Sequence, residues 1–220
     1  MGFGNWAQRV NSARDTYAVA GPGGRIVRLE TRGRILSVSD VFPERALPAG
    51  PITLRPFTAG DVEDTRTACT DEVIQRWIPL PRPYSAEAAV DWCTKTAHTR
   101  RESGDGIHFV IGDAADGRLL GAIGLRRTDW DDLVTEVRYW VAPWARGRGI
   151  AARATRALGQ WLLIEQGFER LELRAAVGNI PARKTAVKAG LHREGILRNA
   201  GRLHGGRVDV VLYALTRSDP

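Results

Sequence analysis

Residues 136–151 read EVRYWVAPWARGRGIA, and their pattern alone predicts a strand, a loop and a helix in that order. Val137, Tyr139 and Val141 recur at every second position, as expected of a β-strand with two different faces. Pro143 cannot continue a strand ladder, so the strand is expected to end just before it. The glycine- and arginine-rich run that follows leads directly into the apolar residues of a helix.

The loop in this stretch has the composition of a phosphate-binding site. Glycines lack the β-carbons that keep a ligand away, so successive backbone N–H groups can converge on an anion at a helix start, where the helix dipole adds attraction. Because the chain has 24 glycines, such a run can also arise from composition, and the flanking elements must support the interpretation. The predicted phosphate contacts are Arg146, Gly147, Arg148, Gly149, Ile150 and Ala151.

The elements after the loop agree with this interpretation. Apolar residues recur at helical spacing and predict an amphipathic helix: Ile150, Ala154, Leu158, Trp161 and Leu162. A strand is expected over residues 168–175, then Gly178 and Asn179, then a short helix over residues 181–189. The complete order is strand, phosphate loop, helix, strand, asparagine, helix.

This order resembles the acyl-CoA-binding half of the GNAT N-acetyltransferase superfamily, whose arginine/glutamine-x-x-glycine-x-glycine/alanine signature is matched by RGRGIA at residues 146–151. Within that superfamily, three features resemble the Rim-type branch. They are Glu136 ahead of Tyr139 and Trp140, the segment NIPARKTAVKAGL at residues 179–191, and DEVIQRWIPLPRPYS at residues 71–85. The resemblance implies an α/β GNAT fold with a mixed, mostly antiparallel central sheet flanked by helices.

The resemblance also implies a reaction. Acetyl-CoA is the expected cosubstrate, and its acetyl group passes to a primary amine by direct attack. Rim-type proteins acetylate the N-terminal amines of ribosomal proteins, so a protein N-terminus is the first expected acceptor. A small amine such as an antibiotic or a polyamine is the second, and a non-catalytic module that binds CoA or nucleic acid is the remaining alternative.

Site roles follow residue by residue from the same resemblance. Glu136 is the expected general base, with a pKa raised if it is buried, although an ion pair with Arg126 or Arg138 is an alternative role. The Val141 N–H is the expected oxyanion donor. Asn179 matches the CoA-arm contact and also suits a helix N-cap. Apart from the resemblance, Tyr213, Tyr139 and bulk water are the alternative proton donors to the CoA thiolate, and Arg183 either contacts the CoA 3′-phosphate or is simply solvated.

Two positions depart from the Rim-type pattern. Ala182 stands where a serine is usual, which puts the family's proton donor to the CoA thiolate in doubt. Arg138 stands where glycine is usual, and its side chain could narrow the acceptor site or make it more positively charged. The expected acceptor contacts are Trp77, Tyr84, Arg138 and Trp140, and an acidic loop around Trp130 could attract a cationic amine.

The domain organisation is predicted as an acetyltransferase domain over residues 51–220 preceded by an extension over residues 1–50. Within the extension, residues 25–30 and 34–39 could form a hairpin, and disorder is the alternative. No apolar stretch long enough for a signal peptide or membrane span is evident, so a cytoplasmic protein with no membrane partner is expected.

The charge is basic, with a formal net charge of +7, yet only three of the 32 basic residues are lysine. A composition bias toward arginine explains this as well as nucleic-acid binding does. A ribosome and a second copy of the chain are candidate partners. The four histidines and two cysteines lack ligand spacing, so no metal is expected.

Overall fold

The computed structural model describes residues 40–219 with their side chains and residues 16–20 and 26–30 as backbone. In the N-terminal part, β1 (Thr16–Ala20) and β2 (Ile26–Glu30) pair antiparallel in a sheet of their own. β2 falls within the strand predicted over residues 25–30, but its partner is β1. The partner predicted over residues 34–39 lies outside the described residues.

The remaining described strands form one mixed sheet in the order β3-β4-β5-β6-β7-β8-β10-β9. Neighbouring strands are antiparallel except for β7 and β8, which are parallel. This arrangement confirms the predicted fold class. The strands are β3 (Leu47–Ala49), β4 (Ile52–Arg55), β5 (Ile107–Asp113), β6 (Leu119–Asp129), β7 (Val134–Val141), β8 (Arg170–Ala176), β9 (His192–Leu203) and β10 (Gly206–Thr216).

Helices pack on both faces of this sheet. The stretch predicted as one helix from Ser85 contains a π-turn at Trp92–Thr96 between α3 and α4, with Ser85 as the N-cap. None of the helices in the described residues is long and apolar enough to cross a bilayer. The helices are α1 (Val62–Cys69), α2 (Glu72–Trp77), α3 (Ala86–Asp91), α4 (Ala97–Glu102), α5 (Ile150–Gln160) and α6 (Ile180–Lys188).

The larger core lies between the sheet and α5. The five apolar positions predicted to form one face of α5 and of the π-turn after it are all buried. Gly159 lets α5 approach closely, because a β-carbon there would lie 3.2 Å from Leu215 and 3.3 Å from Leu171. A smaller core on the opposite face joins α1, α2 and α4 to side chains of β5 and β6 that include Val110, Leu119 and Ala122.

Residues ahead of position 50 also contribute to the larger core. Phe42 is fully buried against Trp130, Trp161 and Phe168, and β3 pairs with β4 in the main sheet. The boundary predicted at residue 50 therefore falls inside a hairpin. The short strand β3 and the single Phe42 carry too little periodicity for sequence patterns to detect.

Two neighbouring positions after α5 give a matched test of this core. Leu162 is fully buried, whereas Ile164 is 73% exposed. We expect Leu162→Ala to lower the free energy of unfolding by about 2–5 kcal/mol, because it leaves a cavity. Ile164→Ala should change it by about 0.5 kcal/mol or less. Urea denaturation measures both, and equal losses would contradict the packing described.

Candidate active site

β7 and β8 start side by side and then separate. They pair in parallel from Val134↔Arg170 to Glu136↔Glu172, where the register ends. Among the described strands, β7 continues to Val141 with β6 as its one partner, and β8 continues to Ala176 with β10 as its one partner. A wedge-shaped opening therefore forms between the carboxyl halves of two adjacent strands.

The backbone of β7 presents hydrogen-bonding groups to this opening. Ala142 N–H donates to Leu120 O of β6 at 2.9 Å, and alternate residues of a strand face opposite neighbours. Tyr139 and Val141 therefore direct their N–H and C=O groups toward the β8 side, where no described strand pairs with them. The role of the Val141 N–H as an oxyanion donor stays a prediction.

Because Gly121 of β6 has no side chain, the carboxyl end of β7 can lie close to β6. It pairs with Val141, and a β-carbon on Gly121 would lie 2.3 Å from Trp140 O. Sequence analysis did not identify Gly121 as a site residue. A glycine inside an apolar strand is the signal that could have found it, since it often marks a close backbone approach.

The glycine-rich loop follows directly from this strand. Gly147 and Gly149 have φ of +78° and +72°, a left-handed conformation that residues with a β-carbon rarely adopt. A β-carbon on either glycine would meet no atom within 4 Å, so the backbone conformation, rather than crowding within the chain, accounts for both glycines. The space above the loop is open to a ligand.

The helix α5 begins with unpaired donors at this loop. Arg153 N–H donates to Gly149 O at 3.2 Å, so the preceding N–H groups, including those of Ile150 and Ala151, have no acceptor within the helix. The donors and the positive end of the helix dipole form a site for an anion. The phosphate roles of Gly147, Gly149, Ile150 and Ala151 stay predictions.

The two arginines of the loop are engaged by carboxylates. Arg146 forms an ion pair with Asp71, whose carboxylate also caps α2 by accepting from Ile74 N–H at 3.0 Å. Arg148 Nη2 lies 3.7 Å from Asp113 Oδ2 and is 55% exposed. An anion bound at the loop would compete with both carboxylates for these guanidinium groups.

Asn179 and Tyr139 lie at the other side of the opening, at the start of α6. The Asn179 side chain caps α6 by accepting from Ala182 N–H at 3.2 Å. The Tyr139 hydroxyl donates to Ala182 O at 3.4 Å, and the nearby Thr185 side chain acts to lower the pKa of Tyr139. Burial raises the pKa of Tyr139 to about 12. Sequence analysis missed Thr185, which lies one helical turn after Ala182.

Tyr213 and Arg183 form a separate contact behind α6. The Tyr213 hydroxyl is buried and accepts from Arg183 Nε at 3.4 Å. Arg183 Nη1 donates to Val177 O at 3.0 Å. These bonds hold Arg183 against the sheet, so a contact with a CoA 3′-phosphate would require its side chain to turn outward. Both predicted roles stay predictions.

Glu136 is buried beneath three guanidinium groups. Its carboxylate, 4% exposed, lies 2.5 Å from Arg138 Nε, 3.4 Å from Arg127 Nη1 and 3.5 Å from Arg126 Nη2. Burial raises the pKa of Glu136, but Arg138, Arg126 and Arg127 together lower it further, so the pKa lies below its ordinary value. The expectation of a raised pKa was wrong because the arginines outweigh burial, and the ion pairs with Arg126 and Arg138 that were the alternative role are both present.

The aromatic residues expected at the acceptor divide into two groups. Trp77 is half-buried at the end of α2, next to the loop before Asn179, where a β-carbon on Gly178 would lie 3.4 Å from its ring. Tyr84 is buried in a small cluster with Cys69 and Ala89, and Trp140 packs against that cluster. Tyr84 is thus buried, whereas Trp77, Arg138 and Trp140 are partly exposed, and the acceptor roles of all four stay predictions.

The acidic loop around Trp130 is a turn with a packed tryptophan. Asp129 accepts from Asp131 N–H and Asp132 N–H, and Trp130 Nε1 donates to Gly104 O at 2.8 Å. Within residues 40–219, no group of three or more histidine, cysteine or acidic side chains could hold a metal ion. Burial raises the pKa of the Cys69 thiol to about 12, as expected of a cysteine in a packed core.

The charge state of Glu136 gives a pH-dependent prediction. Its folded-state pKa lies below the ordinary value of 4.5, so its carboxylate stabilises the fold fully above about pH 4.5 and less as the pH falls through the lowered pKa. We expect Glu136→Gln to lower the free energy of unfolding by about 1–3 kcal/mol at pH 7, with a smaller loss below pH 4.5.

Urea denaturation from pH 8 to pH 4 measures this difference. Glu63→Gln serves as the control, because Glu63 forms an exposed ion pair with Arg66 on α1 and should change stability little. A Glu136→Gln effect that disappears between pH 8 and pH 6 would contradict the lowered pKa.

Comparison with known proteins places this geometry in a family. The family profile described as an acetyltransferase (GNAT) domain matches residues 52–192, more than half of the chain. The Bacillus subtilis protein YdaF, provisionally named a ribosomal N-acetyltransferase, is 32% identical over 120 residues, covering 54% of this chain and 66% of YdaF. The ribosomal-protein-serine acetyltransferase of Escherichia coli is 28% identical over 99 residues, covering 45% of this chain and 55% of that protein.

The alignments with these curated relatives thus span two thirds of their length or less. Among solved structures, Mycobacterium smegmatis RimJ in complex with CoA-disulfide has the same fold, with a TM-score of 0.68 at 24% identity, covering 80% of this chain and 86% of RimJ. The chain belongs to the GNAT acetyltransferase family, and Rim-type ribosomal-protein acetyltransferases are among its relatives.

Proposed function

We propose that this chain transfers an acetyl group from acetyl-CoA to a primary amine. The observation that carries the proposal is that β7 supplies both halves of one ligand site. Its carboxyl end leads into the loop with free N–H groups at the start of α5, and its open edge presents the Val141 N–H beside the wedge between β7 and β8. An extended molecule with phosphates at one end and a thioester at the other fits this arrangement.

In the proposed complex, the CoA diphosphate lies on the loop at residues 146–151, and the pantetheine arm enters the opening as an additional strand. The Val141 N–H then donates to the thioester oxygen. The amine nitrogen attacks the carbonyl carbon, the carbonyl oxygen becomes an oxyanion, and the C–S bond breaks to release the CoA thiolate. A fixed N–H donor stabilises the oxyanion more than the ground-state carbonyl, which lowers the barrier.

The attacking amine must lose its proton, and Glu136 is the proposed acceptor through a bridging water. The carboxylate is ionised at neutral pH, which is the form that a general base requires. The lowered pKa makes this carboxylate a weaker base. Its contacts with three arginines therefore also suit a positioning role. The CoA thiolate is a stable leaving group, and the hydroxyls of Tyr139 and Thr185 beside Ala182 are the nearest candidates to reprotonate it.

The acceptor proposed first is a protein N-terminal amine. The side chains of Arg138 and Arg174, on the face of the sheet that carries Glu136, are 41% and 32% exposed, so this face is accessible to a peptide. The names of YdaF and of the Escherichia coli relative refer to ribosomal substrates. Ribosomal protein is accordingly the proposed target, and the basic charge of the chain suits an approach to the ribosome.

Acetyl transfer can be measured directly. Incubation with acetyl-CoA and a pool of peptides with free N-termini, followed by mass spectrometry, should show a mass increase of one acetyl group on the N-terminal amine. A matched pool of polyamines and aminoglycosides tests the small-amine alternative. CoA binding with no transfer to any amine would contradict the enzymatic proposal and support the non-catalytic alternative.

The loop gives a test of CoA binding with a matched control. Gly147→Glu should weaken CoA binding by about 100-fold or more, because it strains a left-handed residue and places a carboxylate beside the phosphates. Gly167→Glu imposes the same strain in an equally open position outside the loop, since its φ is +73° and no atom lies within 4 Å of its β-carbon position. Calorimetry should find that Gly167→Glu binds CoA as the unsubstituted chain does.

Equal affinity of Gly147→Glu and the unsubstituted chain would contradict the assignment of the loop. Equal loss in both variants would show that strain alone disrupts the protein.

A further inference from the structure

Three guanidinium groups surround one buried carboxylate on the face of the sheet that the acceptor must approach. Arg126, Arg127 and Arg138 all contact Glu136, so positive charge exceeds negative charge at this place. Arg126 Nε is buried and has no partner among the described residues. Burial and the neighbouring arginines lower the pKa of Arg126, which is the expected effect of excess positive charge.

Arg138 is the member of this cluster nearest to the reacting thioester. Glu136, Arg138 and Trp140 project from the same face of β7, and each step of two residues advances about 7 Å along a strand. Arg138 therefore lies one step closer to Val141 than Glu136 does. Its partner position on β6 is Gly124, and the His108 ring of β5 lies over that glycine, where a β-carbon would be 2.2 Å from His108 Nδ1.

The terminal nitrogens of Arg138 are available for a ligand. Its Nε bonds Glu136, its side chain is 41% exposed, and no described residue accepts a hydrogen bond from Nη1 or Nη2. A guanidinium group offers paired donors that match a carboxylate. The next strand adds no uncompensated acid, because Glu172 is paired with both Arg170 and Arg174.

The acidic groups of this region lie at the opposite end of β7. Asp129 pairs in register with Val134, and Asp129 and Asp132 line a cavity of about 220 Å³ near the start of β7, together with Arg127, Arg174, Glu136 and Glu172. The charge along the face thus changes from acidic near Val134 to basic at Arg138. An acceptor that reaches Val141 must place its neighbouring groups beside the basic end.

We propose that the preferred acceptor is an acidic peptide, in which a carboxylate close to the N-terminal amine binds Arg138. This inference rests on the proposed acetyl transfer and names its substrate class. The carboxylate offsets the excess positive charge that would otherwise repel a protonated amine.

Three peptides that differ only at the second residue test this preference. They begin Ser-Asp, Ser-Asn and Ser-Lys, and transfer from saturating acetyl-CoA is followed as thiol release. We expect kcat/KM for the Ser-Asp peptide to exceed that for Ser-Asn by about tenfold, the effect of one charge-assisted hydrogen bond. The Ser-Lys peptide should be the poorest acceptor. A preference for Ser-Asn or Ser-Lys would overturn the inference.

Variants connect the preference to Arg138. Arg138→Met should reduce the Ser-Asp to Ser-Asn ratio to about twofold or less, mainly through KM, whereas Arg138→Lys should retain most of the ratio because it keeps the charge. Arg217→Met is the control, because Arg217 pairs with Glu169 away from this face. An unchanged ratio in Arg138→Met would overturn the assignment of Arg138.

A binding measurement separates this inference from the proposed function. Calorimetric titration of the same peptides into the CoA-loaded protein reports charge preference without requiring transfer. Preferential binding of the Ser-Asp peptide with no acetylation would contradict the proposed transfer and support the acceptor class. Equal binding of the three peptides would overturn the acceptor class even if all of them were acetylated.

Discussion

β7 has two neighbours in the sheet, and it hydrogen-bonds to β8 only as far as Glu136. Beyond that residue, the backbone groups of Tyr139 and Val141 face a gap, while β10 continues to hold β8 along its other edge. Exposed backbone donors in a partly covered gap require a partner, and an extended ligand can supply one. The same strand leads into the loop whose N–H groups have no acceptor within α5 and can bind an anion. A single interruption in strand pairing therefore sets both the position and the direction of the proposed acetyl-CoA.

The interruption also places the buried charge. Glu136 is the last residue of β7 that pairs with β8, and it lies in register with Arg126 and Glu172. Its ionised state depends on the arginines, because a buried carboxylate without such partners would take up a proton. Arg138 contacts Glu136 through Nε, and no described residue accepts a hydrogen bond from its outer nitrogens. The residue that stabilises the carboxylate is thus the same residue that we propose selects an acidic acceptor.

Sequence patterns predicted the local parts of this site and missed those that depend on register. The spacing from Ile150 to Leu162 and the glycines at 147 and 149 follow from helix periodicity and backbone conformation, and both are present. The contact of Arg127 with Glu136 arises from an irregularity in the β6–β7 pairing between Arg126 and Asp129, where Arg127 has φ of +52°. The hydrophobic periodicity of the sequence does not indicate such an irregularity. Tyr84 lies in a packed cluster with residues of α1 and α3, and because aromatic side chains suit a packed core as well as an acceptor contact, only the tertiary arrangement reveals this cluster.

Hydrogen–deuterium exchange at single-residue resolution, with and without acetyl-CoA, tests the central claim most directly. The account predicts that the ligand slows exchange at the Val141 amide and at the amides of residues 146–151, with little change at the Val137 end of β7 or at Gly167. Protection of the loop together with Val141 would show that one ligand occupies both halves of the site. Binding that protects neither Val141 nor the loop would contradict the account.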